Sequence, residues 1–290
     1  MSRARTLPFK CSAVISDVDG TLVTDQKILT SRAQSAVAEL RARGIVFSVI
    51  SSRPPRGVRM LTGPLEIEAP VGAFNGGVIV ARDLSILTEY LLPPAIARRA
   101  VAELDARGVQ VWVFSRQDWL VRHPDGPYMG LEERTVGFRA KVVEDWETSL
   151  DTAAKIVGVS EDFALLARCE TEVSAALADN ACVARSQLYY LDITHPLANK
   201  GSALLEMAKL MAVPLVEIAV IGDGNNDVAM FERSGLSIAM GNASPEVRQA
   251  ADLVTDSNRE EGFANAIERF ILGGDRSNAQ TGLARSGVSA

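Results

Sequence analysis

Short apolar runs recur along the chain, and each is closed by a polar residue or glycine. Cys11–Ser16 holds Ala13, Val14 and Ile15 and leads straight into Asp17. Gly44–Ile50 holds Ile45, Val46, Phe47, Val49 and Ile50 and ends at Ser51, and Val216–Ile221 ends at Gly222-Asp223. Continuous β-branched runs of this length, without polar alternation, predict parallel strands buried on both faces. Between them the apolar spacing changes to that of helices. Ser31–Arg43 places Ala33, Val37 and Leu40 three to four residues apart, with Ser31 as the candidate cap and Gly44 just past the end. Ser202–Val213 repeats the scheme with Leu204, Leu205, Ala208 and Met211. Strand–helix alternation predicts an α/β fold, a doubly wound and mostly parallel sheet. Such sheets bind ligands beyond the carboxyl ends of their strands, which is where all three runs deliver a reactive polar group.

The middle of the chain has another rhythm. Pro93-Pro94 is followed by a helical stretch from about 95 to 107, then by a hairpin pattern, Val109–Phe114 and Trp119–Arg122 around Ser115–Asp118. Ala154–Val159 and Ala181–Ile193 are further strand candidates, with a helix near Asp162–Leu177 between them. We therefore expect an α+β insert over 83–188, set between the two pieces of a parallel core domain, 1–82 and 189–272. Residues 273–290 lack aromatics and periodicity and read as a tail without function.

Composition narrows the classes. The 290 residues are 47% hydrophobic and 23% charged, an ordinary globular balance, and the net charge of −6 argues against a nucleic-acid partner. Three cysteines, Cys11, Cys169 and Cys182, are odd in number and far apart, which disfavours a disulfide framework. Two histidines, His123 and His195, have no zinc-ligand spacing. No apolar run approaches the ~20 residues that span a bilayer, and Met1–Lys10 lacks the apolar core of an export signal. The expectation is a cytoplasmic protein without a membrane or nucleic-acid partner, its oligomeric state left open.

The chemistry gathers at two strand ends, Asp17-Val18-Asp19-Gly20-Thr21 and Gly222-Asp223-Gly224-Asn225-Asn226-Asp227. Alternation in an extended chain puts Asp17 and Asp19 on one side. Two carboxylates ~4 Å apart repel by about 4 kcal/mol at an effective dielectric near 20, so such a cluster asks for a cation. All-oxygen ligands select a hard ion, Mg²⁺ by default, and a magnesium site that holds an anion points to phosphate. Lys200-Gly201 at the start of a helix, and Ser51-Ser52 after the second strand, supply the balancing donors. There is no G-x-x-x-x-G-K-[ST] loop and no G-x-G-x-x-G after the first strand, which disfavours a Walker-type NTPase and a dinucleotide enzyme.

Taken in order, Asp17-Val18-Asp19-Gly20-Thr21, Ser51, Lys200 and Gly222–Asp227 resemble the four motifs of the haloacid dehalogenase-like (HAD) phosphatase superfamily. The insert resembles that superfamily's C2-type cap, and Gly222–Met230, Asn75-Gly76-Gly77 and Met240–Ala243 resemble its Cof-type branch. The resemblance covers about residues 11–272. It implies that Asp17 is the nucleophile and forms an aspartyl-phosphate, and that Asp19 is the general acid and base. It implies Mg²⁺ on Asp17, the Asp19 carbonyl and Asp223, with Asp227 in support. Ser51, Ser52, Lys200 and Asn226 would hold phosphate oxygens. Asn75 follows a strand-like Val71–Phe74 run and either lines the leaving-group side or serves as a turn residue. One departure stands out: the branch usually reads Thr-Gly-Arg where this chain has Ser51-Ser52-Arg53. Ser51 keeps the hydroxyl, while Ser52 adds a side chain where the backbone nears phosphate.

Secondary candidates have a bland reading beside the functional one. Arg53 and Arg56 are solvated loop charges or contacts to a second anionic group; Trp112, Trp119 and Tyr128 are packing residues or a cover for a sugar or ring; His195 is a loop residue. The resulting expectation is a Mg²⁺-dependent phosphomonoester hydrolase of small phosphorylated metabolites, with sugar phosphates first. The alternatives are a dedicated phosphatase of a phosphoglycerate conjugate, phosphoglycolate or a phosphorylated cofactor, and a non-catalytic phosphate sensor. A phosphomutase would need a second basic cluster, and a sensor would normally have lost Asp17 or Asp19.

Overall fold

The computed structural model describes residues 9–116, 118–146 and 148–273, so all but the first residue of the expected tail lies outside the described residues. The chain divides into two compact units, Met1–Phe47 with Leu215–Ala290, and Ser48–Pro214. The expected insert, 83–188, falls wholly within the second. No described helix is long and apolar enough to cross a membrane.

The first unit is built on a five-stranded sheet ordered Leu253–Val254, Leu236–Ala239, Ile218–Gly222, Ala13–Ser16, Val46–Val49, the last strand carrying the chain into the second unit. Ala13–Ser16 runs parallel to Ile218–Gly222, with Ala13 opposite Ile218 and Ser16 opposite Ile221. Both strands are buried along their whole length, as their unbroken apolar runs require. The first helix, Ser31–Ala42, buries Ala33, Ala36, Val37 and Leu40. Its cap is Thr30 rather than Ser31: Thr30 keeps an extended backbone and its Oγ1 accepts the Ala33 amide at 3.1 Å. Ser31, one residue on, is already helical. Leu236–Ala239 carries a buried polar residue, Ser237, whose amide and hydroxyl both donate to Asp252 at 2.9 Å. That internal partner lets a polar residue sit in a buried strand, and it breaks the apolar run that would have announced one.

The second unit contains a three-stranded sheet, Val71–Ala73, Val78–Val80 and Ile86–Glu89, and a six-stranded sheet. The larger sheet is ordered Cys182–Gln187, Tyr190–Thr194, Ala153–Val159, Gln110–Ser115, Asp118–Val121, Lys141–Val142. The candidate strand Ala181–Ile193 is thus two antiparallel strands, turning at Leu188-Tyr189 without the Gly or Asn that usually marks a hairpin. Helices Pro94–Asp105 and Phe163–Leu177 bury Val111, Val113, Ile156, Leu191 and Ile193 on one face of this sheet. Pro94 opens the first of these helices, where a missing N–H costs nothing. Asp162 caps the second by accepting the Leu165 amide at 2.8 Å. Two further helices were not among the expected elements: Pro55–Thr62, which buries Val58, Leu61 and Thr62, and Met129–Val136, which is entered at Tyr128 and left at Gly137, both left-handed.

Candidate active site

In the first unit the parallel pairing brings the two acidic strand ends together. The Asp17 amide donates to the Ile221 carbonyl at 2.8 Å, which extends the register of the central strands by one residue. Asp17, Asp223 and Asp227 each offer a carboxylate oxygen, all within 4.8 Å of one another. Asp17 and Asp227 are buried and Asp223 is half-buried. Asp227 Oδ2 accepts the amides of Asp223 at 2.9 Å and Gly224 at 2.8 Å, so one carboxylate clamps the loop that presents another. Asp223 is braced from the side: Thr21 Oγ1 donates to its Oδ1 at 3.2 Å, and Asn242 Nδ2 to its Oδ2 at 3.1 Å. The same Asn242 amide group reaches the Gly20 carbonyl at 3.0 Å. Glycine is required at position 20, where φ is +87° and a Cβ would strike the Asp223 carboxylate.

Carboxylates this close repel one another, and a cation among them relieves that repulsion. With oxygen donors only, they fit a hard divalent ion such as Mg²⁺. Asp19 forms an isolated parallel bridge with Val23, after Val18, whose carbonyl accepts the amides of Thr21, Leu22 and Val23. The Asp19 Oδ1 meets Lys27 Nζ at 2.7 Å. Lys27 sits at φ +63° in a turn closed by its own amide donating to the Thr24 carbonyl at 2.9 Å. Asn226 is exposed in the single turn Asn225–Asp227.

The remaining predicted site residues lie in the second unit. Ser51 is buried, and its amide donates to the Gly72 carbonyl at 2.9 Å while its carbonyl accepts the Asn75 amide at 2.7 Å. Asn75 holds a left-handed backbone, φ 57° and ψ 25°, inside the turn Phe74–Gly76. That turn rests on the helix Lys200–Met211: Gly76, at φ +95°, lies so close to Ala203 that a Cβ would overlap it. Lys200 is buried at the first position of this helix, which Asn199 caps by accepting the Ser202 amide at 2.9 Å. Ser51, Asn75 and Lys200 are thus tied to one another through backbone contacts, with half-buried Ser52 beside them.

A model of the haloacid dehalogenase-like hydrolases matches residues 14–267. The chain belongs to this family. A solved haloacid dehalogenase-like hydrolase from Bacteroides thetaiotaomicron superposes with a TM-score of 0.83 at 27% identity, covering 90% of this chain and 99% of that one. A Bacillus subtilis relative named 5-amino-6-(5-phospho-D-ribitylamino)uracil phosphatase is 25% identical over 291 residues, covering 91% of this chain and 99% of its own length. A Methanopyrus kandleri relative named phosphoglycolate phosphatase is also 25% identical, over 263 residues, covering 90% of this chain and 97% of its own. Two such different names at equal identity leave the choice of substrate to this chain's own residues.

Several secondary candidates in this haloacid dehalogenase-like hydrolase have structural roles. Arg53 is buried, and its guanidinium contacts the Gly57 carbonyl at 3.5 Å and Met60 Sδ at 3.2 Å. Arg56 stacks over Phe138 at 4.2 Å. His195 stacks on Tyr90 at 5.7 Å and accepts the Leu197 amide on Nδ1; burial lowers its pKa. Sequence reasoning missed Lys27 and the bracing roles of Thr21 and Asn242. Thr21 and Asn242 both lay inside stretches the resemblance had singled out.

Proposed function

We propose that this hydrolase releases inorganic phosphate from small phosphomonoesters in a Mg²⁺-dependent reaction with an aspartyl-phosphate intermediate. The clustering of Asp17, Asp223 and Asp227 within 4.8 Å is the observation that supports it most strongly. Asp17, Asp223 and the Asp19 carbonyl would hold Mg²⁺, with Asp227 fixing the Asp223 loop through its two amide hydrogen bonds. Bound there, Mg²⁺ supplies charge neutralisation between a carboxylate nucleophile and an anionic phosphoryl group.

In the first step an Asp17 carboxylate oxygen attacks phosphorus, the ester P–O bond breaks, and Asp19 gives its proton to the leaving alcohol. In the second, water attacks phosphorus, Asp19 takes up a proton from it, and the bond to Asp17 breaks, which frees phosphate. Ser51, the Ser52 amide, Lys200 and Asn226 hold the phosphoryl oxygens, and Asn75 lines the leaving-group side. Positioning and charge neutralisation are most of what phosphoryl transfer asks of a protein. Residues 83–188 act as a cap that selects the leaving group and limits access of water.

Phosphate release should be measured across sugar phosphates, three-carbon phosphoacids, nucleotides and phosphorylated cofactors, with Mg²⁺ and with EDTA. Turnover that needs Mg²⁺ is expected. Undiminished turnover in EDTA, or silence across the panel from folded protein, would overturn the proposal.

A further inference from the structure

The stretch Met240–Ala243 reaches the acidic cluster through Asn242, whose side-chain amide is bonded at both ends. Nδ2 donates to Asp223 Oδ2 at 3.1 Å and to the Gly20 carbonyl at 3.0 Å, while Oδ1 accepts the Asn258 backbone amide at 3.0 Å. Asn242 is exposed, so packing does not fix its rotamer. The two ends of an amide are nearly alike in shape, and their bonding tells them apart. The Asn258 N–H can be met by the oxygen end alone, and this turns the NH₂ towards the carboxylate. A reversed amide would set its oxygen against Asp223 and its NH₂ against an N–H.

The Asn258 amide is available because of where it sits. It opens the single turn Asn258–Glu260, and the first amides of a helical turn have no partner within it. The segment that carries it runs beside the one that carries Asn242: the Thr255 amide donates to the Ala239 carbonyl at 2.9 Å, and the Gly241 amide to the Asp256 carbonyl at 3.0 Å. These bonds continue the pairing of the strands Leu236–Ala239 and Leu253–Val254 up to the site. Asn258 itself is buried, 7% exposed. Its Nδ2 donates to the Val23 carbonyl at 3.3 Å and to Asp25 Oδ1 at 3.0 Å, and Arg259 Nε donates to Asp25 Oδ2 at 2.7 Å. The side chain thus grips the loop that follows Asp19-Gly20, while the backbone of the same residue grips Asn242.

We propose that Asn258 is a positioning residue for the metal site: acting through Asn242, it holds the Asp223 carboxylate in the orientation that binds Mg²⁺. The inference rests on the reading of the acidic cluster as a Mg²⁺ site. Thr21 bonds one oxygen of Asp223 and Asn242 the other, which fixes the plane of the carboxylate. Hydrogen-bonded partners of metal ligands set the ligand's orientation, and losing one typically costs about tenfold to a hundredfold in metal affinity. The influence of Asn258 passes through an exposed amide that would otherwise turn freely, so it should be read in affinity for the ion itself.

Mn²⁺ reports the site without turnover. Free Mn²⁺ is counted by its EPR signal over metal-free full-length protein, and Mg²⁺ is then titrated in to displace the bound ion. Asn258→Ala and Asn242→Ala should each raise the Kd for Mg²⁺ roughly tenfold or more. The double variant should bind no more than about threefold more weakly than the weaker single one, because both changes remove the same support; independent effects would multiply to roughly a hundredfold or more. Asn258 is buried, so folding is checked by circular dichroism, and Asp25→Ala is the second probe. That position is exposed, and its carboxylate is an acceptor for the Asn258 side chain, so its loss should raise the Kd about threefold or more. A Kd within twofold of wild type in Asn258→Ala overturns the inference, as do effects that multiply in the double variant. Where Asn258→Ala does not fold, Asp25→Ala decides by the same criterion. Wild type that binds neither ion overturns the metal reading and this inference with it. Wild type that binds Mg²⁺, loses it in these variants and yet releases no phosphate supports the inference and refutes the phosphatase reading alone.

Discussion

Replacing Asp223 by asparagine should have opposite effects on stability with and without metal. At separations up to 4.8 Å and an effective dielectric near 20, each pair among Asp17, Asp223 and Asp227 repels by about 3.5 kcal/mol. Half-burial of Asp223 and salt reduce this to about 2 kcal/mol per pair, hence about 4 kcal/mol for its two neighbours. Against this stands the loss of a hydrogen bond. The carboxylate accepts from Thr21 on Oδ1 and from Asn242 on Oδ2, and an amide keeps a single acceptor oxygen. Losing that bond costs about 1–2 kcal/mol. In EDTA, Asp223→Asn should therefore be more stable than wild type, by about 2 kcal/mol. In saturating Mg²⁺ the order inverts: a ligand at a hundred times its Kd adds about 2.7 kcal/mol to the protein that binds it, and the variant forgoes most of this. Urea unfolding followed by circular dichroism, in EDTA and in Mg²⁺, reads both values. A variant less stable than wild type by the same amount in both buffers would show that the carboxylates neither repel strongly nor share an ion.

Gly20→Ala should fold yet lose about a hundredfold in phosphate release, because the left-handed backbone and the oncoming Cβ push the Asp223 carboxylate aside; activity within threefold of wild type would contradict this. Lys200→Ala should lower kcat by roughly a hundredfold to a thousandfold, the scale of a lost preorganised donor, and a change under tenfold would make the lysine structural. Burial pushes the Cys11 thiol up to about 11. Its alkylation by iodoacetamide, followed by peptide mass spectrometry, should keep rising about tenfold per pH unit through about pH 10, since only the thiolate reacts; a rate that levels off between about pH 9 and 10 would refute the shift.

The parts of this molecule that were readable in its sequence are those where one local rule acted alone. Ala13–Ser16 and Ile218–Gly222 are uninterrupted apolar runs because strands flank them on both sides, so they could be seen, together with the aspartates they deliver. Where a tertiary partner overrode the local rule, the reading slipped. Ser237 hides in a strand because Asp252 satisfies it from fifteen residues away. Thr30 displaces Ser31 as a cap, a choice between two neighbouring hydroxyls that pattern alone does not resolve. Lys27 reads in sequence as a loop charge, and only the turn it closes with Thr24 brings its ammonium to Asp19. Lys155 gave no signal at all: a lone lysine in a strand reads as a solvated charge, and only the register places it between Phe114 and Thr194 beside Asp192.

The account turns on covalent catalysis by Asp17, and trapping the intermediate tests it most directly. Protein mixed with a turned-over phosphomonoester in Mg²⁺ is quenched in acid within the first turnovers, reduced with borohydride and digested. The account predicts that the peptide containing Asp17, and no other, carries the acyl phosphate and its reduced product, homoserine, at position 17. An unmodified Asp17 peptide from an enzyme that is releasing phosphate, or the label on another residue, would contradict it.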